Sequence, residues 1–278
     1  MSLSKKPICL LLLSLILIPQ VNAIPSGNTT PPSGWKYNSG YWHDSWGITR
    51  NSAEGSDGSD GYLPKLASET LGINKELAYK IGERFLNTYS DSNSRADAIL
   101  KYIQKWTEYG YDSDNVVIGG QAQDEWAWNA DEMAHAFDEN LGKVAIGDCE
   151  DMAFLGFTIY SGAGFDTAVI DAPEHCALLI WLPDYPNANQ YWELSQDNRG
   201  AGWIWVEATG PTNPVGWTPS DFSNGDWTAY TLANGVYTQR QPVQTQSDGT
   251  GGTDGIDLQL IISIIFFIFF IISKILRR

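Results

Sequence analysis

Three residues in the second half of the chain have the types and order needed for acyl-transfer chemistry. The first is Cys149, in AIGDCEDMAF (145–154), set between Asp148 and the pair Glu150 and Asp151. Three carboxylates within four positions should raise a thiol's pKa and weaken it as a nucleophile. A helix that starts at this point works in the other direction. Its free N–H groups and the positive end of its dipole stabilise a thiolate in the first turn. Asp148 and Asp151 are then expected to support the helix start, with their carboxylates on backbone N–H groups. Glu150 is expected to point away around the helix.

A thiol nucleophile also needs an imidazole and a group to orient that ring. The chain has three histidines, His43, His135 and His175. Only His175 opens a strand-like run, HCALLIWLP, directly after a turn. Side chains alternate along a strand, so His175 facing the helix start would put Cys176 on the other side. For the orienting acid, the next strand offers Glu207 in WIWVEATGP. The rival readings of Cys149 are a buried structural thiol and a disulfide with Cys176. Neither C-x-x-C nor H-E-x-x-H occurs, so no zinc site is expected, and no other cofactor.

The elements that must position these residues follow from local signals. KELAYKIGERFLNTY and SRADAILKYIQKWTEYGY place apolar residues three and four apart and read as helices, and DEMAHAFDENLG as a shorter one. The Cys149 helix has Asp148 as its start and Gly162 and Gly164 as its stop. FDTAVIDA, HCALLIWLP, YWELS and GWIWVEAT read as strands separated by turn residues. Helices first and strands afterwards predict an α+β fold, with an antiparallel sheet packed on the helix that starts at Cys149. Acidic YDSDN (111–115) offers Asp112 and Asp114, but it lacks the glycine and the later glutamate of a calcium loop. It reads as a solvated turn.

Both ends carry addresses. Residues 1–23 place Lys5 and Lys6 before an apolar run closing on Val21-Asn22-Ala23, which predicts a secretory signal. The apolar run from Leu258 to Leu276, followed by Arg277 and Arg278, predicts a single membrane anchor over 257–278. By the positive-inside rule the short C-terminus is cytoplasmic and the body extracytoplasmic. Between them, 24–64 is expected to be an irregular, aromatic-rich segment, 65–220 the catalytic domain and 221–256 a flexible stalk. Without Lys5, Lys6, Lys274, Arg277 and Arg278, twelve Lys and Arg face 33 Asp and Glu. Such an acidic body repels polyanions, so a nucleic-acid partner is excluded.

GDCEDMA, with DAILKYIQKWTEYGYD upstream and EHCALLIWLP and WIWVEATGP downstream, resembles the transglutaminase-like cysteine enzyme superfamily over about residues 75–215. The resemblance implies a papain-like core with Cys149 as nucleophile, His175 as general base and acid, and Glu207 as the acid on the ring. The family usually has aspartate where Glu207 stands, one methylene shorter. The resemblance also suggests Trp128 and Asn129 as oxyanion-hole candidates. The implied activity is attack on a peptide or amide bond through a thioester, with hydrolysis favoured over amine transfer. A protein or cell-wall component is the expected substrate. The alternative is a non-catalytic surface module, using exposed aromatics in SGWKYNSGYWHDSWG and NPVGWTPSDF to bind a glycan or a protein.

Overall fold

The structure is a computed structural model that describes residues 27–29, 34–45, 47–51, 76–137, 144–233 and 236–243. The expected signal, the expected anchor and residues 244–256 of the expected stalk lie outside the described residues. Among the described residues no helix is long and apolar enough to cross a membrane.

Two helices come first. Helix α1 (Leu77–Thr88) buries Ala78, Ile81 and Gly82 on one side. Helix α2 (Ser92–Trp106) starts where the Asp91 carboxylate accepts the Ser94 N–H at 2.8 Å, and it buries Ala96, Ile99, Leu100 and Ile103. These are the three- and four-residue spacings that put apolar side chains on one stripe. Two short helices follow, α3 (Asp112–Asn115) and α4 (Ala130–His135). Helix α5 (Cys149–Gly162) is the centre of the molecule: all of its residues except Cys149 and Ser161 are buried. It crosses α1 with almost no gap. A Cβ on Gly82 would lie 2.1 Å from the Ile159 carbonyl oxygen, and one on Gly162 2.1 Å from the Tyr79 carbonyl oxygen. Backbone meets backbone there, so neither position accepts even alanine without moving a helix.

The sheet behind α5 has five strands: β1 (Thr167–Ala172), β2 (His175–Trp181), β3 (Trp203–Val206), β4 (Thr228–Ala233) and β5 (Val236–Arg240). Their order is β3-β2-β1-β4-β5, antiparallel at every step. Alternation sorts the side chains into two layers. Val169, Cys176, Leu178, Ile180, Ile204 and Val206 belong to the clusters that include α5 residues, while Ala168, Ile170, Ala177, Leu179, Trp203 and Trp205 pack with Trp192 and Trp227 on the opposite face. The fold is therefore the expected α+β, a buried helix on an antiparallel sheet.

Two differences from the sequence reading concern extended chain. Residues 228–233 and 236–240, assigned to a stalk over 221–256, form β4 and β5 and complete the sheet. TAYTLA has the Thr and Tyr content of a strand, but the Ser-Asn-Gly-Asp run just before it hid that signal. YWELS supplies only isolated bridges, Trp192 to Trp203 and Leu194 to Pro242. In the N-terminal segment, Lys36–Asn38 and Tyr41–His43 form a small hairpin. That segment is held by a stack of Trp35 on Trp126, ring centroids 5.5 Å apart, and by Arg50. The fully buried Arg50 guanidinium bridges Asp44 at 2.9 Å and Glu132 at 2.8 Å and donates to the Ala127 carbonyl.

Candidate active site

Helix α5 begins where the sequence says it should. Asp148 occupies the N-cap, and Asp151 accepts its backbone N–H at 3.2 Å and that of Trp128 at 2.7 Å. Cys149 follows in the first turn, half-buried, and packs against the cluster that holds Cys176, next to His175 on β2. Both cysteines are free thiols. Cys176, however, is not on the far side of the sheet. It packs with Ala153, Phe154 and Phe157 of α5, in the cluster that Cys149 borders. The expectation that Cys176 faces away from the helix is overturned: Cys176 packs on α5, so alternation along β2 turns His175 to the opposite face, that of Ala177 and Trp205, where Glu207 and Phe222 meet it.

Strand β2 starts at His175 because the turn before it has only two residues, Pro173 and Glu174, with Ala172 paired to His175. Glu174 takes a left-handed backbone, φ 55°, which costs a residue with a Cβ about 1 kcal/mol. The imidazole is then held from two directions. Its Nε2 lies 2.9 Å from Glu207 Oε2, and its face lies on Phe222, rings nearly parallel with centroids 5.1 Å apart. Phe222 in turn stacks on Trp205 at 5.4 Å. It stands at the end of the 3₁₀ turn Ser220–Phe222, beyond the region assigned to the catalytic domain.

Glu207 follows the last residue of β3 and lies on the same face as Trp205, two positions back. It accepts from the Trp205 indole at 3.2 Å, from the Thr209 N–H at 3.1 Å and from the Thr209 hydroxyl at 2.5 Å, besides its contact with His175. Burial pushes its carboxyl up, but the His175 ring and these donors outweigh that and hold it below the usual carboxylate range. An anion with this many donors fixes the ring it touches. Among the described residues Nδ1 of His175 has no hydrogen bond, so it is the nitrogen free to exchange a proton.

The thiol is poised differently. Cys149 donates to Glu150 Oε2 at 3.4 Å, and not to His175. Burial first, then the charges of Glu150 and Asp148, push the thiol well above its ordinary range. This corrects the expectation that Glu150 points away: it is buried, and its carboxylate turns back onto the sulfur. The resting thiol is protonated.

The reason lies in a crowd of acids. A parallel pairing of Thr107–Tyr109 with Ala145–Gly147 brings α3 to the start of α5. Asp112, read from sequence as part of a solvated turn, is 3% exposed and accepts the Trp126 N–H at 2.6 Å. Burial and the nearby charge of Asp148 push its carboxyl up to about 9. Burial likewise raises Asp148, Glu150 and Asp151. Asp114 remains exposed.

Of the oxyanion candidates, Asn129 caps α4. Its side chain accepts the Glu132 N–H at 2.9 Å while Glu132 accepts the Asn129 N–H at 2.8 Å, a capping box that N-x-x-E already signals. The Trp128 side chain is buried, and its indole N–H meets no acceptor among the described residues. His43 and His135 lie elsewhere, His43 against Thr49 and His135 on α4.

A helix carrying a cysteine at its first turn, on an antiparallel sheet carrying a histidine–glutamate pair, is thus the arrangement these residues define. No family model matches the sequence, and no curated protein does. A solved structure described as "a Putative Cysteine Protease from Cytophaga hutchinsonii" is similar to it at 14% identity, covering 78% of this chain and 67% of that one, with a TM-score of 0.29. A likeness this remote leaves any reading to rest on the geometry.

Proposed function

We propose that the chain is a thiol hydrolase of peptide or amide bonds, of transglutaminase-like type, with Cys149, His175 and Glu207 as its catalytic set. The observation that carries the reading is the His175–Glu207 hydrogen bond, made on the strand whose next residue, Cys176, packs in the cluster that Cys149 borders. Because the resting thiol is protonated, attack is coupled to proton transfer. Sγ forms a bond to the carbonyl carbon as its proton passes to His175 Nδ1. The oxyanion is met by the Cys149 N–H and the Trp128 indole N–H. Collapse breaks the C–N bond, and the leaving amine takes the proton from His175, which gives a thioester. Water then adds, losing a proton to the same nitrogen, and collapse returns that proton to sulfur and releases the acid. Glu207 keeps Nε2 as donor throughout, so one ring nitrogen does all the proton transfer. Replacement of water by an amine would make a crosslinker of the same site. A membrane-anchored, extracytoplasmic location and surface or cell-wall substrates complete the proposal, from the apolar sequence at both ends.

The second reading, a binding module without catalysis, is favoured by one observation: the thiol's hydrogen bond goes to Glu150 and not to the imidazole. Alkylation by iodoacetamide at neutral pH, mapped by mass spectrometry on the full chain, separates the two. The hydrolase reading expects Cys149 to react at least tenfold faster in wild type and Cys176→Ser than in His175→Ala. Equal rates in all three would leave only the binding module. A thiol that reacts only after reduction would mean a disulfide in the isolated protein and would also sink the reading.

A further inference from the structure

We infer that Arg50, remote from the thiol in the chain, is a positioning residue for the proposed hydrolysis: through Ala127 it fixes Trp128, whose indole N–H is assigned to the oxyanion. The inference rests on the hydrolase reading and adds the N-terminal segment to its machinery.

Residues 127–129 are gripped one after another. The Ala127 N–H donates to the Arg50 carbonyl at 2.8 Å, and the Ala127 carbonyl accepts from the Arg50 guanidinium at 2.8 Å. The Trp128 N–H donates to Asp151 Oδ1 at 2.7 Å, and the other oxygen of that carboxylate takes the Asp148 N–H at the start of α5. The Asn129 N–H donates to Glu132 Oε2, the same oxygen that Arg50 Nη1 reaches at 2.8 Å. Arg50 therefore acts on both sides of Trp128, while Asp151 ties Trp128 to the turn that carries Cys149. The indole is steered as well. The Arg50 guanidinium lies over the Trp35 ring at 5.0 Å, Trp35 stacks on Trp126, and Trp126 leans on Trp128 with ring centroids 5.7 Å apart.

The arginine is itself anchored. It is fully buried, and Asp44 takes its Nε–H at 2.9 Å with one oxygen and the Ile48 N–H at 2.8 Å with the other. Ile48 packs with Ala127, Ala153 and Cys176 in the cluster that Cys149 borders, so this segment reaches the surroundings of the nucleophile. Stability alone does not call for a guanidinium here, because a buried ion pair replaced by apolar side chains is often neutral or stabilising. Geometry does. A planar fork of fixed donors meets Asp44, Glu132 and a carbonyl together, which neither an ammonium nor an apolar chain can do. Trp128 is buried, and its indole N–H has no acceptor among the described residues. A donor held in place without an acceptor is preorganised for charge that appears only during reaction.

The test is protection of Cys149 by a small aldehyde, acetylglycinal. Addition forms an Sγ–C bond and moves the thiol proton to the aldehyde oxygen with no leaving group, so that oxygen takes the oxyanion position. Iodoacetamide instead loses iodide and needs no oxyanion donor. The full chain in detergent is titrated with acetylglycinal, and the remaining alkylation of Cys149 is mapped by mass spectrometry. The variants are Trp128→Phe, Arg50→Lys and the control Arg199→Lys, whose guanidinium pairs with Asp166 and Asp197. Trp128→Phe and Arg50→Lys should each raise the aldehyde concentration for half protection about tenfold or more. Their alkylation rates without aldehyde should stay as in wild type, and Arg199→Lys should change neither quantity. Weaker protection in Trp128→Phe alone would overturn the role of Arg50; unchanged protection in both would overturn that of Trp128 as well. Weaker protection accompanied by new labelling of buried Cys176 would mark partial unfolding and also overturn the inference. If Arg50→Lys does not fold, Glu132→Gln replaces it, since the amide oxygen still accepts the Asn129 N–H while the charge that anchors the guanidinium is gone. Weaker protection there supports the clamp, and unchanged protection overturns it. A wild-type thiol that depends on His175 yet is never protected overturns this arrangement alone, whereas alkylation indifferent to His175 sinks the hydrolase reading itself.

Discussion

Two acidic regions of the molecule are built on opposite principles. On the sheet side, Glu207 is one carboxylate with four donors: an imidazole, an indole, a backbone N–H and a hydroxyl. On the helix side, Asp112, Asp148, Glu150 and Asp151 share a few backbone N–H groups and a thiol, and Asp112 Oδ1, Asp148 Oδ1 and Glu150 Oε1 have no donor among the described residues. The first is pushed below its usual range and the second above it. Burial is similar in the two places, so burial is not the difference. Donors are. The Glu207 side holds a ring in one orientation; the α5 side crowds raised carboxyls next to a thiol.

The largest effect is expected from removing the satisfied acid. Glu207→Ala strands the Trp205 indole, the Thr209 donors and His175 around a hole. Breaking a buried, hydrogen-bonded pair on one side costs about 3 kcal/mol or more, which urea denaturation would read as a lower midpoint at unchanged slope. The pH dependence has a fixed sign. Glu207 is held below its unfolded value of 4.5, so its contribution is present above that pH and lost as pH falls through the lower folded value. Wild type should therefore lose stability on acidification below about 4.5 more steeply than Glu207→Gln does. A wild-type acid limb no steeper than that of Glu207→Gln would show that the four donors do not favour the anion.

The same substitution on the other side should have the opposite sign. Asp112→Asn keeps an oxygen for the Trp126 N–H and removes an acid that burial holds uncharged far above its ordinary range. At neutral pH it should raise stability by about 1 kcal/mol, a relief of the cost of keeping that carboxyl protonated in the fold. Destabilisation instead would mean that the aspartate is held by contacts this argument omits, and the contrast between the regions would fall.

The contrast also explains what could be read from the sequence. The start of α5, its stop at Gly162 and the strand beginning at His175 are local, set by a cap, a glycine and a turn. Those three signals were enough to bring Cys149, His175 and Glu207 into one reading. The burial of Asp112 is not local. It depends on Thr107–Tyr109 pairing in parallel with Ala145–Gly147, across 38 positions of the chain. Within YDSDN nothing distinguishes Asp112 from exposed Asp114. Glu150 is hidden for a similar reason: helical angle points it away from Cys149, but its side chain is long enough to fold back once its other surroundings are acids. The Asn129 cap, by contrast, is local and legible in N-x-x-E.

Phe222 gives the smallest and most selective test. It touches the face of His175 and not its nitrogens, and it rests on Trp205. An aromatic pair of this kind contributes about 0.5–1.5 kcal/mol beyond its buried area. Phe222→Leu keeps most of the apolar volume and loses the flat contact, so stability should fall by no more than about 1 kcal/mol. If the ring is there to keep Nδ1 aimed at the thiol, alkylation of Cys149 should slow several-fold, while the acid limb governed by Glu207 stays as in wild type. If it only fills space, labelling and stability should fall together in proportion to unfolding. The outcome says whether His175 is oriented from one side, by its carboxylate, or from two.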